Sequence, residues 1–125
     1  MKKLIFALWV IMALLPFARA AHKHSEAYYQ NEWCSNIGGV QEYENKDYTR
    51  VDCLTDTHAI EFDFAKKWAE SIGQSLHYSR MTGKKAGIVL IIEDEKDYRY
   101  YERMQPLCEE LGIDLWVYEN IKKAP

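Results

Sequence analysis

The chain reads as an α/β protein, a mixed sheet flanked by helices in the order α-β-β-β-α-β-α-β. Three observations predict this. Gly87-Ile88-Val89-Leu90-Ile91-Ile92 is an unbroken apolar run between turn residues, the pattern of a strand buried on both faces. Residues 58–64 alternate instead, with Ile60, Phe62 and Phe64 on one side and Ala59, Glu61 and Asp63 on the other. Two helix-length segments follow these strands, each closed by a glycine, Gly83 and Gly112. Strands alternating with helices from residue 58 onward argue for partly parallel pairing.

Taken in order, residues 25–36 read as a helix with Ser25 as N-cap and Gly38-Gly39 as its stop. Three short β-prone segments follow at 39–44, 48–54 and 58–64. A long helix is expected over 65–82, then the apolar strand 87–92, then a helix over 96–111. Pro106 lies inside that last helix and predicts a kink or break near Gln105, because proline removes a hydrogen bond and crowds the preceding turn. Residues 113–118 close the chain as a strand. Neither repeats nor a low-complexity linker interrupts 21–125, which reads as a single domain.

Residues 1–20 read as an export signal. Lys2 and Lys3 precede an apolar stretch over 4–17, and Ala18-Arg19-Ala20 offers the small-x-small pattern of a cleavage site. The apolar stretch is shorter than the roughly twenty residues a membrane-crossing helix needs. The expected product is secreted or periplasmic, with no stable membrane association after cleavage. Losing Lys2, Lys3 and Arg19 takes the 16 basic residues to 13 against 19 acidic, a net charge near −6. That sign disfavours nucleic-acid binding by bulk electrostatics and requires a local basic patch or bound cations. Cys34, Cys53 and Cys108 match no zinc spacing; they read as buried small hydrophobes, with Cys34–Cys53 the pairing open to oxidation.

The chemistry concentrates in 50–64. A turn at Asp56-Thr57, or a loop over 55–58, sets Leu54 against Ala59 and Asp52 against Glu61. Cross-strand partners hold their Cβ atoms about 5 Å apart, so the two carboxylates repel unless a cation or a proton intervenes. Asp63 joins the same face. Hard oxygen donors of this kind suit magnesium, manganese or calcium; the same residues also occur on a plainly solvated sheet face. On the next helix Lys67, Gln74 and Tyr78 fall within one sector, while Ala65, Ala69, Ile72 and Leu76 fall opposite and are expected to pack on the sheet.

Asp52, then Glu61-Phe62-Asp63 on the following strand, then Gln74-Ser75-Leu76-His77-Tyr78 on a helix resembles the PD-(D/E)XK nuclease superfamily. It is most similar to the RecB-like group, whose helix carries Q-x-x-x-Y. The resemblance spans about residues 25–92. It implies a restriction-endonuclease-like core and hydrolysis of DNA or RNA. It also implies Mg2+ (or Mn2+) on Asp52 and Glu61, with a lysine orienting the attacking water. The family pattern places that lysine at position 63, where this chain has Asp63; Lys67 is the candidate for the displaced cation, and Asp63 for a further ligand. Gln74 and Tyr78 are expected to hold substrate or support the site. The family's first-helix glutamate falls at Glu32, with Glu42 as the rival. A non-catalytic exported binding module that retains the nuclease fold is the alternative.

The remaining polar residues read as structural. His22 and His24 belong to a flexible polar tail, and His58 and His77 are surface or packing residues. Arg80, Lys84 and Lys85 are surface cations or backbone-phosphate contacts. Glu93, Asp94 and Glu95 favour the start of a helix. Tyr98, Tyr100 and Tyr101 are expected to pack.

Overall fold

A computed structural model describes residues 21–122; the leader expected at 1–20 lies outside the described residues. Helix α1 (Glu26–Asn36) is followed by β1 (Val40–Glu44), β2 (Arg50–Leu54) and β3 (His58–Phe64). A short 3-10 turn, Ala65–Lys67, leads into α2 (Trp68–Thr82), then β4 (Lys85–Ile92), α3 (Tyr98–Leu111) and β5 (Asp114–Glu119). The five strands form one sheet in chain order. β1, β2 and β3 are antiparallel neighbours, and β3–β4 and β4–β5 are parallel. The protein is thus α/β with a mixed sheet flanked by helices.

β4 lies at the centre of the parallel half, and its composition explains why. Ala86, Ile88, Leu90 and Ile92 pack with Ala65 and Ile72 and with Met104 and Cys108 of α3. Val89 faces the other way, into a cluster with Cys34, Cys53, Ile60, Phe62 and Trp33. Helix α1 therefore covers one face of the sheet and α2 with α3 the other. Ser25 caps α1 as expected, its hydroxyl accepting the Tyr28 N–H at 3.2 Å. Cys34 of α1 is bridged to Cys53 of β2, with Cα atoms 5.9 Å apart, so these two are linked rather than free; Cys108 is the buried thiol. Gly39 sits against the bridge, where a Cβ would meet Cys53 Sγ at 2.4 Å and Cys34 Sγ at 2.6 Å.

Several expectations need correction. The helix over 65–82 starts as a 3-10 turn, so Lys67 precedes the α-helical stripe instead of sharing it with Gln74. The inward face of α2 is Ser71, Ile72, Ser75 and Tyr78, while Ala69 and Leu76 are exposed. Two serines bury there because each hydroxyl is satisfied on its own helix, Ser71 on the Trp68 carbonyl and Ser75 on that of Ile72. Pro106 does not break α3, since Met104 and Cys108 on either side are both buried and hold the two halves to the sheet. His22 is not a loose tail residue: it stacks on Phe64 at 3.5 Å and pairs with Glu93 at 2.7 Å.

The other polar residues settle locally. His58 bonds Asp114 at 2.6 Å, and His77 bonds Asp47 at 2.7 Å, tying the β1–β2 turn to α2. Lys84 donates to the Asp56 carbonyl. Asp94 accepts the Lys96 N–H at the turn before α3, and Tyr98, Tyr100 and Tyr101 pack against the core. Among the described residues no helix is long and apolar enough to cross a membrane.

Candidate functional site

The β2–β3 ladder pairs Leu54 with Ala59 and Cys53 with Ile60, and one further step in that register sets Asp52 opposite Glu61. There the main-chain ladder gives way to side chains. The Asp52 carboxylate accepts the Phe62 N–H at 2.7 Å, and the Asp52 carbonyl is taken by Gln30 Nε2 of α1 at 2.9 Å. The same amide nitrogen donates to Glu42 Oε1 at 2.9 Å. Gln41 pairs with Cys53 and Tyr43 with Val51, so Glu42 lies across β2 from Asp52. Glu42, Asp52 and Glu61 thus form one row across three strands. Glu42 holds it with a left-handed backbone, φ 53°, which is costly for a non-glycine residue and recurs at functional sites.

The row runs from an exposed Glu42 through a half-buried Asp52 to a buried end at Glu61. Glu61 is 5% exposed and Asp63 4%, and Glu61 Oε2 is buried without a hydrogen-bond partner. Burial first, then the Asp52 charge and a shared hydrogen bond, drive the Glu61 carboxyl far above its ordinary range. Burial also raises Asp52, against the opposing pull of the Phe62 N–H. The pair is a coupled dyad that holds a proton at neutral pH. Burial lifts Asp63 to about 7 against the favourable charge of Lys67. Burial, then repulsion from Asp52 and Asp63, lifts Glu26 to about 7 as well.

Glu26 is thus the acid that α1 brings to the cluster. Glu32 is placed elsewhere: it is exposed and accepts the Tyr118 hydroxyl at 2.7 Å. Lys67 is exposed but lies near enough to Asp63 and Glu26 to favour their ionised forms. It forms no ion pair, since the ion pairs among the described residues all involve histidine. Tyr78 is buried against Val51 and Ala59, and burial with the nearby Glu61 and Asp52 charges pushes its hydroxyl up to about 12. Gln74 is exposed and does not join Tyr78 on the inward face. Sequence reasoning missed Glu26 and Gln30. Their i, i+4 spacing on α1 was the available signal, and it continues to the bridged Cys34.

The donors are all hard oxygens, and one is buried without a partner, which fits a divalent ion of the magnesium type. Among the described residues no three His, Cys, Asp or Glu side chains are already gathered as a ligand set. Magnesium commonly takes one or two carboxylates and keeps several waters.

The four acids set a pH dependence. Glu26 and Glu61 have ordinary values of 4.5, Asp52 and Asp63 of 3.8, and all four are raised in the folded protein. The folded state then binds more protons than the unfolded chain from about pH 4 to 7 and above, so stability falls as pH rises. Asp47 and Glu93 are shifted down, and their contribution is lost only as pH falls below that window. Without divalent ions, unfolding at about pH 5 is expected roughly 15 °C or more above that at pH 8, a slope that a bound divalent ion would flatten. A midpoint that rises with pH in EDTA overturns this assignment of buried, protonated acids.

Comparison with known protein families, with characterised proteins and with solved structures finds no match for this chain.

Proposed function

We propose that the protein is an exported metal-dependent nuclease that hydrolyses phosphodiester bonds of DNA or RNA at the Asp52–Glu61 pair. One observation carries the reading: two carboxylates face each other where the ladder gives way, and a buried Glu61 oxygen has no partner there. The order of elements, with the acids on β2 and β3 and a helix packed across them, supports a restriction-endonuclease-like core. Asp52 and Glu61 are the residues that would hold Mg2+ or Mn2+, with Asp63 and Glu26 beside them. A bound ion would supply a lowered pKa for the attacking water and neutralise phosphate charge.

The chain's own groups divide the remaining work. Glu26, near neutral in its protonation, suits transfer of a proton from water. Lys67 adds positive charge beside Asp63 and so stands in for the lysine that the resemblance expects at 63. Gln30 fixes both Glu42 and the Asp52 main chain. Tyr78 stays protonated and can donate a hydrogen bond. The exposed Gln74 is left as a substrate contact, and Glu32 has no part.

Asp63 in place of a lysine, with Lys67 unpaired at the surface, favours a second reading, a non-catalytic binding module on the same fold. Plasmid and single-stranded substrates incubated with and without magnesium or manganese separate the two. Metal-dependent cleavage reduced about a thousandfold in Asp52→Ala and in Glu61→Ala is expected. Metal binding by calorimetry without cleavage favours the module; absence of both sinks the enzyme.

A further inference from the structure

Among the described residues two non-glycines hold a left-handed backbone, Glu42 at φ 53° and Tyr48 at φ 70°, and both lie on the β1–β2 hairpin. The first belongs to the acidic row. The second sits in the turn, at a conformation where glycine or asparagine is the ordinary occupant and a bulky side chain is costly. The turn is built to hold it there. Buried Asn45 donates its N–H to the Thr49 carbonyl at 2.8 Å and accepts the Tyr48 N–H on its own carbonyl at 2.9 Å. The Asn45 side-chain amide donates to Thr49 Oγ1 at 3.1 Å, and Asp47 accepts both the N–H and the hydroxyl of Thr49. His77 then ties Asp47 to α2.

Burial of the ring does not offset that cost. Tyr48 is 82% exposed, and Tyr43 on the same hairpin is 42% exposed. Among the described residues no aromatic ring stacks on either, whereas the exposed Tyr28 is covered by His24, ring centroids 3.9 Å apart. A ring displayed to solvent on a costly, over-determined backbone points to a ligand that uses its face.

Register and electrostatics place the hairpin at the acidic pair. Tyr43 adjoins Glu42 and pairs with Val51, the neighbour of Asp52. Tyr48 precedes Asp52 by four residues, at most about 13 Å of extended chain. About two to four nucleotides span that distance at 3.4 Å or more each. The charges of Glu61, Asp52 and Asp47 all act on the Tyr78 hydroxyl, so the turn and the pair border the same residue. The hairpin is no cation patch, since Glu44 and Asp47 balance Lys46 and Arg50. What it offers a nucleic acid is aromatic faces, on which bases stack whatever their sequence. Bases in a duplex are stacked on one another and show only their edges in the grooves, so such faces serve an unpaired strand.

We propose that Tyr48, with Tyr43 beside it, is a base-stacking platform that leads an unpaired nucleic-acid strand to the Asp52–Glu61 pair. The proposal rests on the nuclease reading and deepens it by naming the substrate as single-stranded DNA or RNA.

The binding test uses the full chain carrying Glu61→Gln, so that substrate survives, alone and with Tyr48→Gly, Tyr48→Trp or Tyr43→Ser. Glycine suits the left-handed turn, so Tyr48→Gly should keep or raise the unfolding midpoint while removing the ring. A mixed-sequence single-stranded 12-mer, its blunt duplex and an abasic strand of equal length are compared by fluorescence anisotropy. The single strand is expected to bind at least tenfold tighter than the other two. Tyr48→Gly should weaken it about tenfold and Tyr43→Ser by a similar factor, with duplex and abasic affinities held within about twofold. Tyr48→Trp should restore the affinity. Cleavage with magnesium by the protein with Glu61 intact is followed in parallel. A duplex bound as tightly as the single strand, or single-strand affinity unmoved by either substitution, overturns the platform; metal-dependent cleavage persisting in that case leaves the nuclease reading standing. A lower midpoint for Tyr48→Gly means that the ring packs in the fold, and overturns the platform as well. Tyrosine-dependent binding of the single strand without cleavage keeps the platform and overturns the nuclease. No binding of any probe and no cleavage overturn both.

Discussion

Glu61→Gln is expected to yield a more stable and inactive protein. At neutral pH the folded protein holds a proton on a side chain whose ordinary value is 4.5. Keeping it there at pH 7 costs about 3 kcal/mol relative to an unfolded chain in which the group is ionised. Glutamine has nearly the same shape, carries no charge to desolvate, and can donate an N–H to Asp52. Measured in EDTA at pH 7–8, the midpoint should rise by roughly 10 °C, reflecting 2–3 kcal/mol recovered in a domain of about 100 residues. Magnesium binding and cleavage should be lost together, cleavage by about a thousandfold. A lower midpoint would mean that Glu61 is ionised and held by a partner, and would remove the basis for the dyad. Stability gained by disarming an acidic cluster is the expected signature of a site whose charge repulsion a cation relieves in use.

Removing the Cys34–Cys53 bridge is expected to have the opposite effect on stability and a similar one on activity. The bridge closes a loop with a sequence separation of 19, which by loop entropy alone stabilises by about 3 kcal/mol. Cys34→Ala with Cys53→Ala should therefore lower the midpoint by at least roughly 15 °C, and the parent protein in reductant should fall by somewhat less. Both sulfurs are fully buried among Ile60, Phe62 and Val89, so truncation also removes packing. The bridge fastens α1, which carries Glu26 and Gln30, to β2, which carries Asp52. Activity should therefore fall even at temperatures where the variant remains folded. Unchanged cleavage at such a temperature would show that α1 needs no covalent anchor to place its two side chains.

Strand period and hairpin length are local rules, and they made Asp52 opposite Glu61 readable from residues 52–61. The same holds for the apolar run of β4 and the cap at Ser25. Glu26 was hidden because the orientation of α1 is set by Tyr29, Gln30 and Cys34 against the rest of the chain. Two polar residues in that inward stripe blur any hydrophobic period. The phase of α2 was misread for a related reason. Ser71 and Ser75 look like surface residues until their hydroxyls turn back onto the helix and make burial cheap. Nothing local in Gln41-Glu42-Tyr43 announces a left-handed glutamate. The Cys34–Cys53 bridge depends on α1 lying against β2, which spacing alone does not specify.

The Phe62 amide follows from the same arrangement. Its proton rests on the Asp52 carboxylate, where the ladder would have offered a carbonyl. A carbonyl acceptor is indifferent to acidity, whereas a carboxylate changes as an acceptor when it gains a proton or a cation. One backbone position therefore serves as a resident indicator of the occupancy of the dyad. Its proton resonance and exchange rate should move with Asp52 while the neighbouring amides of β3 stay still.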